Sequence, residues 1–186
     1  GFYSSSATID LVGHEWTHLV TEKVADMEGS TRNENGALVE SFADIFGTMI
    51  EFYAEDLHHP GRPDDWTILE DSWNSSDTSA YHFDRSLSDP NNASTPNPDT
   101  YLGDEWVLET DSSSNSIFVH TNCGVQNHWF YLLSEGGSGV NDNGDSYSVG
   151  GINKDRAAQI VFHNLLTYMG PGQDYLDARR NSIQSA

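Results

Sequence analysis

The sequence predicts a mainly α-helical fold with long irregular loops and little sheet. Apolar residues return every three to four positions over 9–24 and again over 36–55, the spacing that puts them on one helix face. Two further periodic segments, 154–169 and 175–185, close the chain. Between them, residues 56–116 show weak periodicity and many turn formers.

The elements follow in order. Residues 1–8 read as an extended lead-in, with Ser4, Ser5, Ser6 and Thr8 available for capping. Leu11, Val12, Leu19 and Val20 mark the first helix, from Ile9 to about Val24, and residues 25–35 form a loop. The second helix, Gly36 to Glu55, carries Leu38, Phe42, Ile45, Phe46, Met49, Ile50 and Tyr53, enough large apolar residues to make it central and mostly buried. Pro60-Gly61, Pro90-Asn91-Asn92 and Pro96-Asn97-Pro98 break the next stretch, where so long an irregular run points to function or ion binding. A short helix is expected from Tyr101 to Leu108, then a Ser/Asn surface loop over 111–116 leading to Phe118-Val119-His120. Val125 to Ser134 is a short apolar helix. The segment 136–151 is a loop or hairpin whose Asn141-Asp142-Asn143-Gly144-Asp145 is either a calcium loop or, as favoured here, an ordinary Asn/Asp/Gly turn.

At 186 residues the chain fits one domain, 1–186, with a real core and no internal repeat. Five Trp, eight Tyr and eight Phe argue against disorder despite a formal charge of −21. That charge disfavours nucleic acid and anionic membranes as partners. It suits calcium, salt-rich surroundings or plain solubility, and most of the 29 carboxylates are expected to be solvated surface. The lone Cys123 excludes an intrachain disulfide, and no apolar run is long enough to span a membrane. With no signal segment and a helix starting soon after Gly1, the chain reads as a mature or trimmed product of something longer.

The chemistry concentrates in His14-Glu15-Trp16-Thr17-His18 and Glu40-Ser41-Phe42-Ala43-Asp44. On a helix, His14 and His18 share a face and can offer two imidazole nitrogens to one ion, with Glu40 as third ligand. Imidazole and carboxylate suit zinc, and three protein ligands leave a position open for water. Glu15 can take that water's proton and pass it to a leaving amine. Asp44, one turn beyond Glu40, can accept a hydrogen bond from His14 and orient its ring. Carboxylates on a buried helix are costly unless paired with a metal or a donor, and these roles relieve the cost.

Five separated motifs in order resemble the thermolysin-like (M4) metallopeptidases: Asp10 to His18; Gly36-Ala37-Leu38-Val39-Glu40 with Asp44 to Thr48; Glu51 with Asp65-Trp66 and Glu70-Asp71; Arg85-Ser86-Leu87-Ser88-Asp89-Pro90; and Val119-His120-Thr121-Asn122-Cys123-Gly124, with Cys123 where Ser is usual. The resemblance implies the helical lobe of such an enzyme, a gluzincin, acting on extended peptide or protein substrates outside the cell. It implies a separate amino-terminal β-rich lobe whose edge strand pairs with substrate. It further implies that His120 donates to the oxyanion, and that Arg85 anchors a substrate carbonyl and pairs with Asp44. Leu11 and Ile68 would line a pocket for a hydrophobic residue after the scissile bond.

Calcium is the second cofactor implied by resemblance, held by Asp10, Glu51, Asp65, Glu70 and the Thr67 carbonyl. Pro63 stands near the position of an Asn ligand to a second calcium, so one ion is expected. The chain departs from the family pattern in three places. No Tyr lies between His18 and Glu40, Asn115 replaces an Asp that orients the oxyanion histidine, and Asp84 replaces an apolar pocket wall. One lost oxyanion donor costs about 3 kcal/mol of transition-state stabilisation, so slow or altered catalysis is compatible with the motif. The competing expectations are a catalytically idle zinc- and calcium-binding lobe and an acidic calcium-dependent adhesin.

Overall fold

The computed structural model describes residues 8–27, 34–69, 85–108 and 115–186. Six α-helices dominate it: α1 (Ile9–Ala25), α2 (Glu34–His58), α3 (Asn115–Asn122), α4 (Gly124–Glu135), α5 (Lys154–Thr167) and α6 (Tyr175–Ser185). The described sheet is small. A two-residue antiparallel ladder pairs β1 (Thr67–Ile68) with β2 (Arg85–Ser86), and a hairpin pairs β3 (Gly136–Val140) with β4 (Ser146–Gly150).

Helix α2 is the axis of the fold. Leu38, Val39, Phe42, Ile45 and Phe52 on it are buried and join Trp66, Leu87, Phe130, Val161 and Leu165 in one apolar cluster. Trp66 packs edge-on against Phe52, ring centroids 5.1 Å apart. Ser41, Asp44 and Thr48 are buried on the same helix, so its polar faces are covered too.

Helix α1 forms where predicted. Its buried stripe is Asp10, Gly13, His14, Thr17, Thr21 and Ala25, whereas Val12 and Leu19 are 56% and 53% exposed. Two glycines explain the choice of face. A Cβ on Gly47 would lie 2.6 Å from the Asp10 carbonyl oxygen, and one on Gly13 would lie 3.1 Å from the Gly47 Cα. Backbone therefore meets backbone where α1 crosses α2, which brings α1's polar residues within reach of α2's carboxylates.

Two expectations are corrected. Residues 101–108 are not helical: Gly103 N–H donates to Thr100 O and Trp106 N–H to Gly103 O, each at 3.0 Å, in successive turns, with Leu102 at φ 58°. Asn122 takes the Val107 N–H and C=O at 3.0 and 2.9 Å, hydrogen bonds a helix would have used. Conversely, α3 already begins at Asn115, and burial of Phe118, Val119, Thr121 and Asn122 holds its second half in place. The 136–151 segment is a hairpin closed by a turn, Gly144 N–H donating to Asn141 O at 2.8 Å. The Asp142 carboxylate in that turn accepts from Asn91 Nδ2 and the Asp99 N–H, a structural use that favours the turn over a calcium loop.

Gly47→Ala should test the close crossing. Ala is the better helix former by about 1 kcal/mol, yet the contact with Asp10 O should reverse the sign and leave a net loss of about 1–3 kcal/mol in urea unfolding.

Candidate metal centre

One turn of α1 places His14 above His18, and α2 carries Glu40 and Asp44 opposite them. The His14 and His18 Nε2 atoms are 3.0 Å apart, with ring centroids 4.7 Å apart and planes nearly perpendicular. Glu40 Oε2 lies 3.4 Å from His14 Nε2 and 3.8 Å from His18 Nε2. Ligand atoms of these three residues fall within 4.8 Å of one another, and among the described residues no other group of His, Cys, Asp and Glu converges in this way.

The tautomer of His14 follows from its neighbour. Asp44 Oδ1 lies 2.9 Å from His14 Nδ1, and an ionised carboxylate only accepts, so Nδ1 carries the proton and neutral His14 keeps its Nε2 lone pair for the centre. Burial lowers the His14 pKa, but its contacts with Asp44 and Glu40 outweigh burial and push it up to about 9. In the metal-free chain that extra proton sits on Nε2, and a cation must displace it. Burial lowers the His18 pKa below its ordinary value, and His18 Nδ1 has no hydrogen-bond partner among the described residues. Of the two imidazoles, His14 is thus the one with the fixed ring.

Glu40 shows that the site fits a cation. It is buried, and no well-formed hydrogen bond from the described residues reaches its Oε2. Burial of such a group would favour the neutral acid, but His14, His120 and His18 hold its pKa below the usual carboxylate value. Two imidazole nitrogens and an acceptor-only oxygen meeting at a partly dry point are the donor set of zinc.

Asp44 anchors the surrounding shell. It is fully buried, which would raise its pKa, but the Arg85 guanidinium and His14 keep it well below the usual carboxylate range. Arg85 Nε donates to Asp44 Oδ2 at 2.8 Å and Nη2 to Oδ1 at 2.5 Å, a two-pronged pair that β2 presents from the far side of the site. His120, on α3, puts Nε2 3.2 Å from Glu40 Oε2. Its backbone carbonyl accepts from Cys123 Sγ at 3.1 Å and Asn97 Nδ2 at 3.4 Å. Beside the centre opens a cavity of about 320 Å³ bordered by Leu11, Glu15, Ile68, Arg85, Thr95 and His120.

The structure therefore gathers His14, Glu15, His18, Glu40, Asp44, Arg85 and His120 at one place. Asp10 and Glu51 are buried and Asp65 is half-buried, but these three do not by themselves form a comparably tight group. Asp10 Oδ2 accepts the Leu69 N–H at 2.6 Å, and Asp65 Oδ1 accepts the Thr67 N–H at 3.0 Å. Glu70 and Asp84 lie outside the described residues, as does the 28–33 segment where the family's Tyr would fall; Asn115 opens α3. Sequence reading missed Thr95 on the cavity wall and Asn127, whose Nδ2 donates to Asp44 Oδ2 at 2.8 Å. Nothing local in the sequence marks Asn127; the structure shows that Cys123, one helical turn before it, also reaches Asp44, its Sγ 3.7 Å from Oδ2.

Residues 30–186 match the family model described as thermolysin metallopeptidase, alpha-helical domain. The chain belongs to the thermolysin-type metallopeptidases. It is 37% identical over its whole length to the thermostable neutral protease of Geobacillus stearothermophilus and to thermolysin of Alicyclobacillus acidocaldarius, covering 30% of each. It is 34% identical over 96% of its length to the transglutaminase-activating metalloprotease of Streptomyces mobaraensis, covering 22% of that protein. The chain thus spans about 30% of the first two relatives' length and corresponds to the family's helical domain.

Replacing Asp44 by Asn should cost about 3–5 kcal/mol, because Arg85 is left as a buried charge without its counter-ion. Zinc affinity measured against a chromogenic chelator should fall about 10- to 100-fold with it. Because the Asp44 pKa is depressed on folding, its contribution is complete above about pH 4 and is lost as pH falls below that. Urea unfolding between pH 5 and 3 should therefore lose stability more steeply in the parent than in Asp44→Asn.

Proposed function

We propose that residues 1–186 form the helical catalytic lobe of a secreted zinc endopeptidase that cleaves extended peptides or proteins. The observation that carries this reading is the convergence of the His14, His18 and Glu40 ligand atoms beside a cavity bordered by Glu15, Arg85 and His120. When bound by His14, His18 and Glu40, zinc supplies the Lewis acidity that makes water a usable nucleophile near neutral pH.

The remaining chemistry belongs to side chains of this chain. Glu15, exposed at the cavity edge, accepts the proton of the attacking water and returns it to the leaving amine. His120 offers an N–H to the negative charge growing on the scissile carbonyl oxygen. Arg85 spends Nε and Nη2 on Asp44, which leaves Nη1 to hold a substrate carbonyl. Asp44 keeps His14 in one tautomer and one orientation. Leu11 and Ile68 give the cavity apolar walls, which favour a hydrophobic side chain after the scissile bond.

Two further assignments belong to the same reading. Asp10 is fully buried and its Oδ1 has no hydrogen-bond partner among the described residues, which supports a hard cation held by Asp10, Glu51, Asp65, Glu70 and the Thr67 carbonyl, with calcium the fitting ion. Val12, Trp16 and Leu19 expose an apolar strip on α1, which supports docking of a separate amino-terminal lobe whose edge strand would pair with substrate. Secretion accords with the family, and no described helix is long and apolar enough to cross a membrane.

The decisive measurement is cleavage of a quenched fluorescent peptide by the full-length protein carrying this chain. A zinc chelator should abolish turnover and added zinc should restore it. Glu15→Gln should bind zinc like the parent while kcat/KM falls by at least about 10²-fold, and His120→Ala should lower kcat by about 10²- to 10³-fold. Bound zinc with no chelator-sensitive cleavage would instead identify an idle metal-binding lobe. For calcium, a calcium-selective chelator should lower the thermal midpoint, and Asp10→Asn should remove that sensitivity.

A further inference from the structure

We propose that Asn127, backed by Ser41, is a positioning residue for His14, acting through the Asp44 carboxylate. Ser41, Asp44 and Asn127 are each 0% exposed, so water cannot substitute for a missing partner in this chain of contacts. Asn127 Nδ2 donates to Asp44 Oδ2 at 2.8 Å, and Ser41 Oγ donates to Asn127 Oδ1 at 2.7 Å. The direction of the chain is unambiguous. An ionised carboxylate only accepts, so the Asn127 amide must turn its NH₂ to Asp44 and its oxygen to the Ser41 hydroxyl.

The result is an unbroken path from hydroxyl to amide to carboxylate to imidazole, ending at His14 Nδ1, 2.9 Å from Asp44 Oδ1. Arg85 grips both Asp44 oxygens from β2, but a two-pronged pair can pivot as a unit. Asn127 approaches Oδ2 from α4 and removes that freedom, since any rotation that carries Oδ1 away from His14 must also break the Asn127 bond. Ser41 in turn prevents the amide from flipping. Ser41 lies on α2 one residue from Glu40 and three from Asp44, so the brace runs between the helix that carries a proposed ligand and the helix that follows His120.

The proposal rests on the zinc reading only for one of its two readouts. In the full chain, Asn127→Leu keeps the branched shape and removes both hydrogen bonds, while Ser41→Ala removes only the rear one. Zinc affinity should fall about 10- to 100-fold in Asn127→Leu, the range typical of groups that orient ligands, and by less in Ser41→Ala. In the metal-free chain held above the His14 pKa of about 9, where the ring is neutral, nitrogen-15 spectra of His14 should show a single Nδ1–H tautomer in the parent and a mixture in both variants, a change that loosened packing alone would not produce. Parental zinc affinity and an unchanged His14 tautomer in correctly folded variants would overturn the assignment. If Asn127→Leu fails to fold, Ser41→Ala decides the matter by the same two measurements. If the parent itself binds no zinc, the zinc reading falls, and the His14 tautomer alone judges Asn127.

Discussion

One buried carboxylate, Asp44, holds the described site together. It accepts hydrogen bonds from α1 through His14, from β2 through Arg85 and from α4 through Asn127, so elements distant in sequence meet on its two oxygens. A buried ion pair of this kind contributes little net stability over a well-packed apolar substitute, yet losing either partner leaves an uncompensated charge and is severe. Its value here is geometric. It fixes which nitrogen of His14 is bare and where that nitrogen points.

That arrangement depends on how closely α1 approaches α2. Helices separated by ordinary side chains would hold the His14 ring too far from Asp44 for a direct hydrogen bond. Gly13 and Gly47 remove the side chains at the crossing. The interior stripe of α1 is consequently mostly polar, made of Asp10, His14, Thr17 and Thr21 with Ala25, while Val12, Trp16 and Leu19 face outward. This inversion of the usual amphipathic rule is consistent with a helix that builds a site on one side and offers a binding surface on the other.

Much of this was legible in the sequence because the signals are local. The spacings from His14 to His18 and from Glu40 to Asp44 are both one helical turn, and the five family motifs lie in order. The described parts of the irregular region, 59–69 and 85–108, were legible as irregular, since their proline and glycine pairs forbid long helices. The partners across the site were less accessible. Arg85 could be joined to Asp44 only through family resemblance, and neither Asn127 nor Thr95 carries a local signal that singles it out. The expected helix at Tyr101 to Leu108 failed for a related reason: Asn122, fourteen or more residues away in the chain, takes the Val107 backbone groups.

The sequence by itself determined five of the six described helices, the pairing of His14 with His18 and of Glu40 with Asp44 along two of them and the family to which they point, because a helix converts spacing into direction without help from the rest of the molecule. The tertiary structure decided which face of α1 turns inward, that 101–108 fold as turns, and that Asp44 joins α1, β2 and α4. Those outcomes come from close packing at two glycines and from hydrogen bonds between residues far apart in the chain, and no local period encodes them.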